Sequence, residues 1–298
     1  MTLHSTFPDA GSGVDGSATF AGVRGVVRYR RWRPVGKPVA VLLVLHGLGE
    51  HSGQYATLAA AATSAGVEVW APDQAGHGNS DGERVLITDV SDLVADAETL
   101  LRVVRASLPR VPVVVLGHSL GATVATLLVG EVRRSSDGRD GTADDPASDV
   151  TGLVLAGSSL GGASGLETLL ASGIDPWELR KDPGELVRDP EQAERVRNDP
   201  LVWAGGLRPE TLRALAAAAP RTSRLVTVGA LDHLPVLLLH GEDDDIAGVA
   251  GARAVAAALP RGRIVTYPLD RHNVLQDLDR DVVHAELLRF VTALAARA

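Results

Sequence analysis

The chain contains no cysteine. That excludes disulfides, thiolate metal ligands and a cysteine nucleophile, and it fits a cytoplasmic protein. Lysine occurs only at Lys37 and Lys181, so arginine carries nearly all the positive charge. No basic block is present and the formal net charge is −8, so no nucleic-acid surface is expected. No apolar run reaches the length of a membrane span; the longest, Val39–Leu45, is strand-sized. The N-terminal stretch MTLHSTFPDAGSGVDGS lacks a basic segment followed by an apolar one, so it does not read as a signal peptide. Aromatic residues are few, and alanine, valine, leucine and glycine dominate.

What is present is a regular alternation of strand-like and helix-like runs. A length of 298 residues suits one large domain, or a core with a smaller insertion. Residues 1–16 read as a polar, Gly-rich tail. Ala18–Phe20 and Val26–Trp32 read as an antiparallel hairpin at a sheet edge. Val39–His46, Val67–Ala71, Val111–Gly117, Gly152–Ala156, Pro235–His240 and Arg263–Leu269 read as strands, the most apolar of them buried on both faces. Tyr55–Ala65, Val90–Leu108, a run starting at Ser119, Ala252–Leu259 and Val282–Ala296 read as helices. Arg133–Asp149 is charged and lacks apolar periodicity, which marks a surface loop. Such alternation predicts an α/β fold with a doubly wound, mostly parallel sheet. Residues 159–233 break the alternation, with helical pieces and no buried strand. They read as a helical cap inserted into a core of 17–158 and 234–298.

The sequence G-x-S-x-G occurs three times, centred on Ser80, Ser119 and Ser159. A nucleophile elbow needs a strand before the serine and a helix after it. No apolar strand precedes Ser80. Ser159 follows a strand, but the Gly-rich stretch after it is a poor helix start. Only Ser119 has both. A serine hydroxyl needs a base, and the base needs an orienting acid, in the chain order Ser, acid, His for this type of fold. Of the nine histidines, only His272 lies downstream in a loop directly after a strand. For the acid, Glu242, Asp243, Asp244 and Asp245 all follow the strand ending at His240, and local pattern does not choose between them.

With these residues in place the chain resembles the α/β-hydrolase fold and, within it, the monoacylglycerol lipase group of serine hydrolases. The resemblance runs from about Phe20 onward. It is carried by HGLGEHSGQY at His46–Tyr55, PDQAGHGNSDG at Pro72–Gly82, GHSLGA at the elbow, HNVLQD at His272–Asp277 and NDPLVWAGGL at Asn198–Leu207. Asn273 and Asp277 stand where the group's H-E-V-x-x-E segment has glutamates. The resemblance implies Asp244 as the acid and the backbone N–H groups of Leu48 and Leu120 as the oxyanion hole. It further implies that His46 and Glu50 shape their loop, and that His51 either lines the site mouth or has a structural role. Trp177, Leu201, Val202 and Trp203 are the cap residues that either wall an acyl chain or form ordinary cap core. The implied activity is hydrolysis of single-chain lipid esters such as monoacylglycerols, without cofactor or metal and with transient membrane or micelle contact through the cap. The rival readings are a short-chain carboxylesterase, a serine aminopeptidase using Glu178 or Glu185 to hold the substrate amine, and a non-catalytic binding protein of the same fold. Epoxide hydrolases and dehalogenases of this fold use an aspartate nucleophile, which Ser119 disfavours.

Overall fold

The unbroken apolar runs become the middle of one eight-stranded sheet. The structure, a computed structural model, describes residues 14–136, 150–161 and 171–298. The strands are β1 (Val14–Gly22), β2 (Gly25–Trp32), β3 (Ala40–Leu45), β4 (Val67–Pro72), β5 (Val113–His118), β6 (Val150–Ala156), β7 (Val236–Gly241) and β8 (Gly262–Tyr267). They lie in the order β1-β2-β4-β3-β5-β6-β7-β8. β1 and β2 form the expected antiparallel hairpin at the edge, and β2 pairs antiparallel with β4. Every pairing from β4 to β8 is parallel. β1 begins at Val14, inside the stretch read as a tail; the remainder of that stretch lies outside the described residues.

The sheet is covered on both faces, which is why its central strands show no polar alternation. Helices α1 (Ala56–Ser64), α2 (Val90–Ser107), α3 (Leu120–Ser136), α4 (Pro190–Asn198), α5 (Pro209–Thr227), α6 (Val249–Ala258) and α7 (Arg280–Ala295) follow in chain order. Val41, Leu43 and Leu45 face a core shared with α2, α3 and α6. Ala40, Leu42 and Val44 face the opposite core, shared with α1 and α7. The two-residue period of a strand sends neighbours to opposite faces, and here both faces are dry. α2 shows how a helix enters this arrangement. Leu93, Val94, Ala97, Leu100, Leu101 and Val104 form its buried stripe. Each large aliphatic side chain there contributes roughly 1.5–3 kcal/mol. The Asp89 side chain accepts from Ser91 N at 2.8 Å and caps the first turn. α3 continues to Ser136, into the run read as a surface loop starting at Arg133; residues 137–149 of that run lie outside the described residues.

Between β6 and β7 the described residues form no strand. They supply two 3-10 turns, Pro176–Glu178 and Pro183–Leu186, followed by α4 and α5. In a parallel sheet, ligands sit outside the carboxyl ends of the strands. Here the loops after β5, β7 and β8 leave that edge carrying Ser119, Asp244 and His272.

The turn from β5 into α3 is tight enough to demand glycine. A Cβ on Gly121 would lie 1.9 Å from Leu45 O, and one on Gly117 would lie 2.2 Å from Gly121 O. Both obstacles are backbone and cannot swing aside. Gly152 contrasts with them, because its Cβ would meet the mobile end of Leu294, at 2.4 Å. Thermal or urea melts should therefore separate two Gly→Ala variants. Gly121→Ala is expected to lose about 3 kcal/mol or more, and Gly152→Ala about 1 kcal/mol or less. Equal losses would contradict the backbone contact as the cause.

Candidate active site

Ser119 sits at φ 51°, a left-handed conformation rare for a residue with a side chain. The surroundings hold it there. Its N–H donates to Ala156 O at 3.0 Å in the neighbouring strand, and its carbonyl accepts from Ala122 N at 2.9 Å in the first turn of α3. Strain of this kind persists only where neighbouring structure enforces it.

The Ser119 hydroxyl lies 2.9 Å from His272 Nε2, and His272 Nδ1 lies 2.9 Å from Asp244 Oδ2. A carboxylate only accepts, so Nδ1 carries the proton and donates to Asp244. In neutral imidazole that leaves Nε2 as the acceptor for the Ser119 hydroxyl. Asp244 Oδ1 accepts from Ile246 N and Ala247 N at 2.9 and 2.8 Å. His240 Nε2 lies 3.1 Å from Oδ2. Burial alone would raise the Asp244 carboxyl, but the His240 and His272 donors and the Ala247 amide hold it well below the usual range. The same geometry distinguishes the four adjacent acids by their partners. Glu242 pairs with Arg253, Asp243 with Arg188 and Asp245 with Lys181, all toward solvent. Only Asp244 points inward.

Glu50 joins three segments around this triad. Its Oε2 accepts from Gly47 N at 2.8 Å and Tyr55 Oη at 2.7 Å, and lies 3.2 Å from His118 Nδ1. Its Oε1 accepts from Asn273 Nδ2 at 2.7 Å. Burial opposes the charge, yet His118, Tyr55 and the Gly47 amide hold the Glu50 carboxyl well below the usual range. Burial likewise disfavours a charged His118, but Glu50 outweighs it and raises the imidazole. Charged His118 donates from both nitrogens, to Glu50 and, at 3.2 Å, to His272 O. His46 differs. Burial lowers it, and as a neutral ring it accepts from Gln74 N at 2.9 Å and contacts Gly47 O at 2.8 Å.

Ser119 and His272 open onto a cavity of about 720 Å³. Leu48, Leu120, Val202 and Trp203 line it, as does Glu178. Leu120 is the first residue of α3, so its N–H has no acceptor within the helix. Three expected wall residues lie elsewhere. His51 is 0% exposed. Its Nε2 meets Asp199 Oδ2 at 3.2 Å and its Nδ1 accepts from Gly53 N, so it ties the loop to the β6–β7 segment instead of lining the mouth. Leu201 is buried, its N–H turned to Asp199 Oδ1 at 2.8 Å. Trp177 is 39% exposed and lies under the Arg208 guanidinium, 5.0 Å from the ring centroid. Glu185 does not line the cavity either. Sequence reasoning missed a wall built by α5, through Thr211, Leu212, Leu215, Ala219 and Thr222. Their spacing of one, three, four and three residues is a helix-face signal hidden in an alanine-rich run. Ser80 is occupied elsewhere, accepting from Arg28 N at 2.8 Å. Ser159 reaches the cavity wall, but the His272 ring nitrogen meets Ser119. Among the described residues no group of three or more histidine or acidic side chains is arranged to hold a metal ion.

The chain matches the Hydrolase_4 family, described as serine aminopeptidase S33, over residues 36–279. A monoacylglycerol lipase of Mycolicibacterium smegmatis is 28% identical, over 92% of this chain and 96% of its own. The monoglyceride lipase of Mus musculus is 32% identical, over 75% of this chain and 71% of its own. Among solved structures, a soluble variant of the Saccharomyces cerevisiae monoglyceride lipase in complex with a substrate analog superimposes with a TM-score of 0.75. It shares 18% identity over 96% of this chain and 98% of that one, a likeness of fold.

One carboxyl beside the site titrates out of place. Asp270, two residues before His272, is fully buried; its Oδ1 accepts from Asp279 N at 3.3 Å, and its Oδ2 has no partner among the described residues. Burial first, and the Asp277 charge second, push it from 3.8 up to about 7. A carboxyl raised on folding favours the folded state at low pH and loses that advantage as pH rises between the two values. Asp270→Asn removes the dependence. Its Tm relative to the parent protein should therefore increase from pH 4 to pH 8 in a calorimetric series; a pH-independent difference would contradict the assignment.

Proposed function

The chain belongs to the Hydrolase_4 (serine aminopeptidase S33) family of the α/β-hydrolase fold, and on that premise we propose that it hydrolyses monoacylglycerols through an acyl-enzyme on Ser119. The observation that carries this reading is a hydrogen-bonded Ser119–His272–Asp244 array opening onto a largely apolar cavity of about 720 Å³. A volume of that order suits a single-chain ligand. The α5 wall from Thr211 to Thr222 extends it along about 17 Å of helix.

In the proposed reaction Ser119 Oγ attacks the ester carbonyl carbon while its proton passes to His272 Nε2. Asp244 holds the resulting imidazolium in orientation and balances its charge. The oxyanion lies between the N–H groups of Leu48 and Leu120, each worth roughly 2.7–4 kcal/mol in the transition state. Collapse breaks the bond to the alcohol oxygen, which leaves with the proton from His272. Water, deprotonated by the same imidazole, then releases the fatty acid and restores Ser119. Residues 159–233 act as the cap, with Val202 and Trp203 in its wall. Exposed Ile174 and Trp177 between β6 and β7, and exposed Ile246 after β7, supply apolar surface for transient contact with a membrane or micelle, and Ile246 also lines the cavity. No described helix is long and apolar enough to cross a membrane. Vesicle co-sedimentation checks this surface role: binding lost in Ile246→Ser with Trp177→Ser supports it, and no binding by the parent protein refutes it.

A second reading, aminopeptidase activity, has one structural point in its favour, because Glu178 lines the cavity. Its carboxylate is exposed, however, so it offers a substrate amine little beyond what water does. Monoacylglycerols, p-nitrophenyl esters of graded chain length and amino-acid anilides assayed in parallel separate the readings. Long-chain esters are expected to be cleaved fastest, with faster cleavage of anilides overturning the ester assignment. A fluorophosphonate probe should label the protein, and Ser119→Ala should lose both labelling and about 10⁴-fold or more in kcat. Labelling that persists in Ser119→Ala would place the nucleophile elsewhere.

A further inference from the structure

His240 is the last side chain of β7 before the acid loop, and the proposed reaction gives it no task. It is 0% exposed. Val236 and Leu238, which share its face of the strand, are apolar core residues. A histidine in that series needs polar partners to be buried at all. It finds them where the loop after β7 folds back. Nε2 lies 2.6 Å from Ala247 O and 3.1 Å from Asp244 Oδ2. A carbonyl and a carboxylate only accept, so Nε2 carries a hydrogen and shares it between the two.

The acid loop is held in two ways. Its first half is fixed by backbone. Glu242 N donates to Tyr267 O at 2.9 Å and Asp243 N to Asp270 O at 3.1 Å, and a Cβ on Gly241 would lie 2.2 Å from Asp270 O. The second half, from Asp244 to Ala247, is gathered by side chains. Ile246 N and Ala247 N converge on Asp244 Oδ1, while His240 reaches both Oδ2 and the Ala247 carbonyl. His240 therefore closes a ring from the end of the strand to Ala247 and back through Asp244. Oδ2 is also the oxygen that meets His272. Rotation of this carboxylate would disturb four donors at once. Burial pushes the Asp244 carboxyl up, and the His240 hydrogen bond is foremost among the contacts that pull it down.

We propose that His240 is a positioning residue for the triad acid: its Nε2–H fixes the Asp244 carboxylate against His272 and takes up part of its negative charge. The inference rests on the Ser119–His272–Asp244 hydrolase reading above. The two effects have separate signatures. A fixed carboxylate orients His272 and raises the rate. A carboxylate that shares its charge with His240 holds the His272 proton less tightly, so without His240 the imidazolium persists to higher pH. The other titratable groups facing His272 are His118, with ring centroids 5.1 Å apart, and Glu50 behind it. Asp277, which accepts from Arg271 N, and Asp270 lie along the same loop. None of these changes with the residue at 240, so the difference between variants reports His240.

The test measures kcat/KM for p-nitrophenyl octanoate against pH in the parent protein, His240→Leu and His240→Gln. Leucine fills the space without a donor, whereas glutamine ends in an N–H at about the reach of the imidazole Nε2. His240→Leu is expected to lose about tenfold or more in kcat/KM. Its acidic limb should also move upward by about half a pH unit or more. His240→Gln should keep the parent limb and most of the rate. A merely structural role lowers the rate at every pH and leaves the limb in place. An unmoved limb in His240→Leu, or an equal shift in His240→Gln, therefore overturns the proposal. Should His240→Leu fail to fold, His240→Asn, whose amide stops short of Nε2, takes its place with the same expectations. A parent protein that neither cleaves the ester nor reacts with a fluorophosphonate fails the hydrolase reading itself, and this inference with it.

Discussion

A single buried carboxylate, Glu50, stands at the junction of everything this site requires. Through Gly47 N it fixes the loop that carries Leu48. Through His118 it reaches the residue before Ser119, and through Asn273 the residue after His272. Those loops leave β3, β5 and β8, whose own pairing constrains the strands and not the tips beyond them. Burying a carboxylate and an imidazolium together carries a large desolvation cost, and an apolar replacement can be as stable. The gain here is geometric. Several donors converge on two oxygen atoms, so a shift in any one loop costs hydrogen bonds in the others.

The same edge stores strain. Ser119 occupies a left-handed conformation, and glycines 117 and 121 let β5 and α3 meet where no Cβ fits. The central strands beneath it, β3, β4, β5 and β7, are fully buried, and that rigid support is what allows a strained turn to persist above them. The β6–β7 segment is tied to this machinery and not merely laid over it. Trp203 N donates to Gly49 O at 2.9 Å, and His51 Nε2 meets Asp199 Oδ2 at 3.2 Å. Both ties end on the loop next to Leu48. The segment that walls the cavity is thus hydrogen-bonded to the loop that carries Leu48.

Much of this was legible in the sequence because it is local. Apolar runs gave the strands, and the strand–serine–helix context separated Ser119 from Ser80 and Ser159. Chain order isolated His272. Four adjacent acids were indistinguishable until the structure showed three of them paired with arginine or lysine at the surface. His51 is turned away from the cavity by Asp199, a partner about 150 residues away that no local pattern reveals, and Leu201 packs into the buried interior of its own segment. The α5 wall was hidden for a different reason. A run of alanines gives little amphipathic contrast, so the face turned to the cavity could not be told from the face turned to the core. Asn273 read as a departure from a motif, and the structure shows its amide donating to Glu50.

If Glu50 holds the three catalytic segments in register, its removal should damage chemistry more than it damages folding. The most direct measurement is the second-order rate of fluorophosphonate labelling of Ser119 in Glu50→Gln, under conditions where circular dichroism shows the variant folded. The rate is expected to fall by about 10²-fold or more, because the oxyanion loop and His272 no longer share an anchor. Labelling at the parent rate in a folded Glu50→Gln protein would contradict the account.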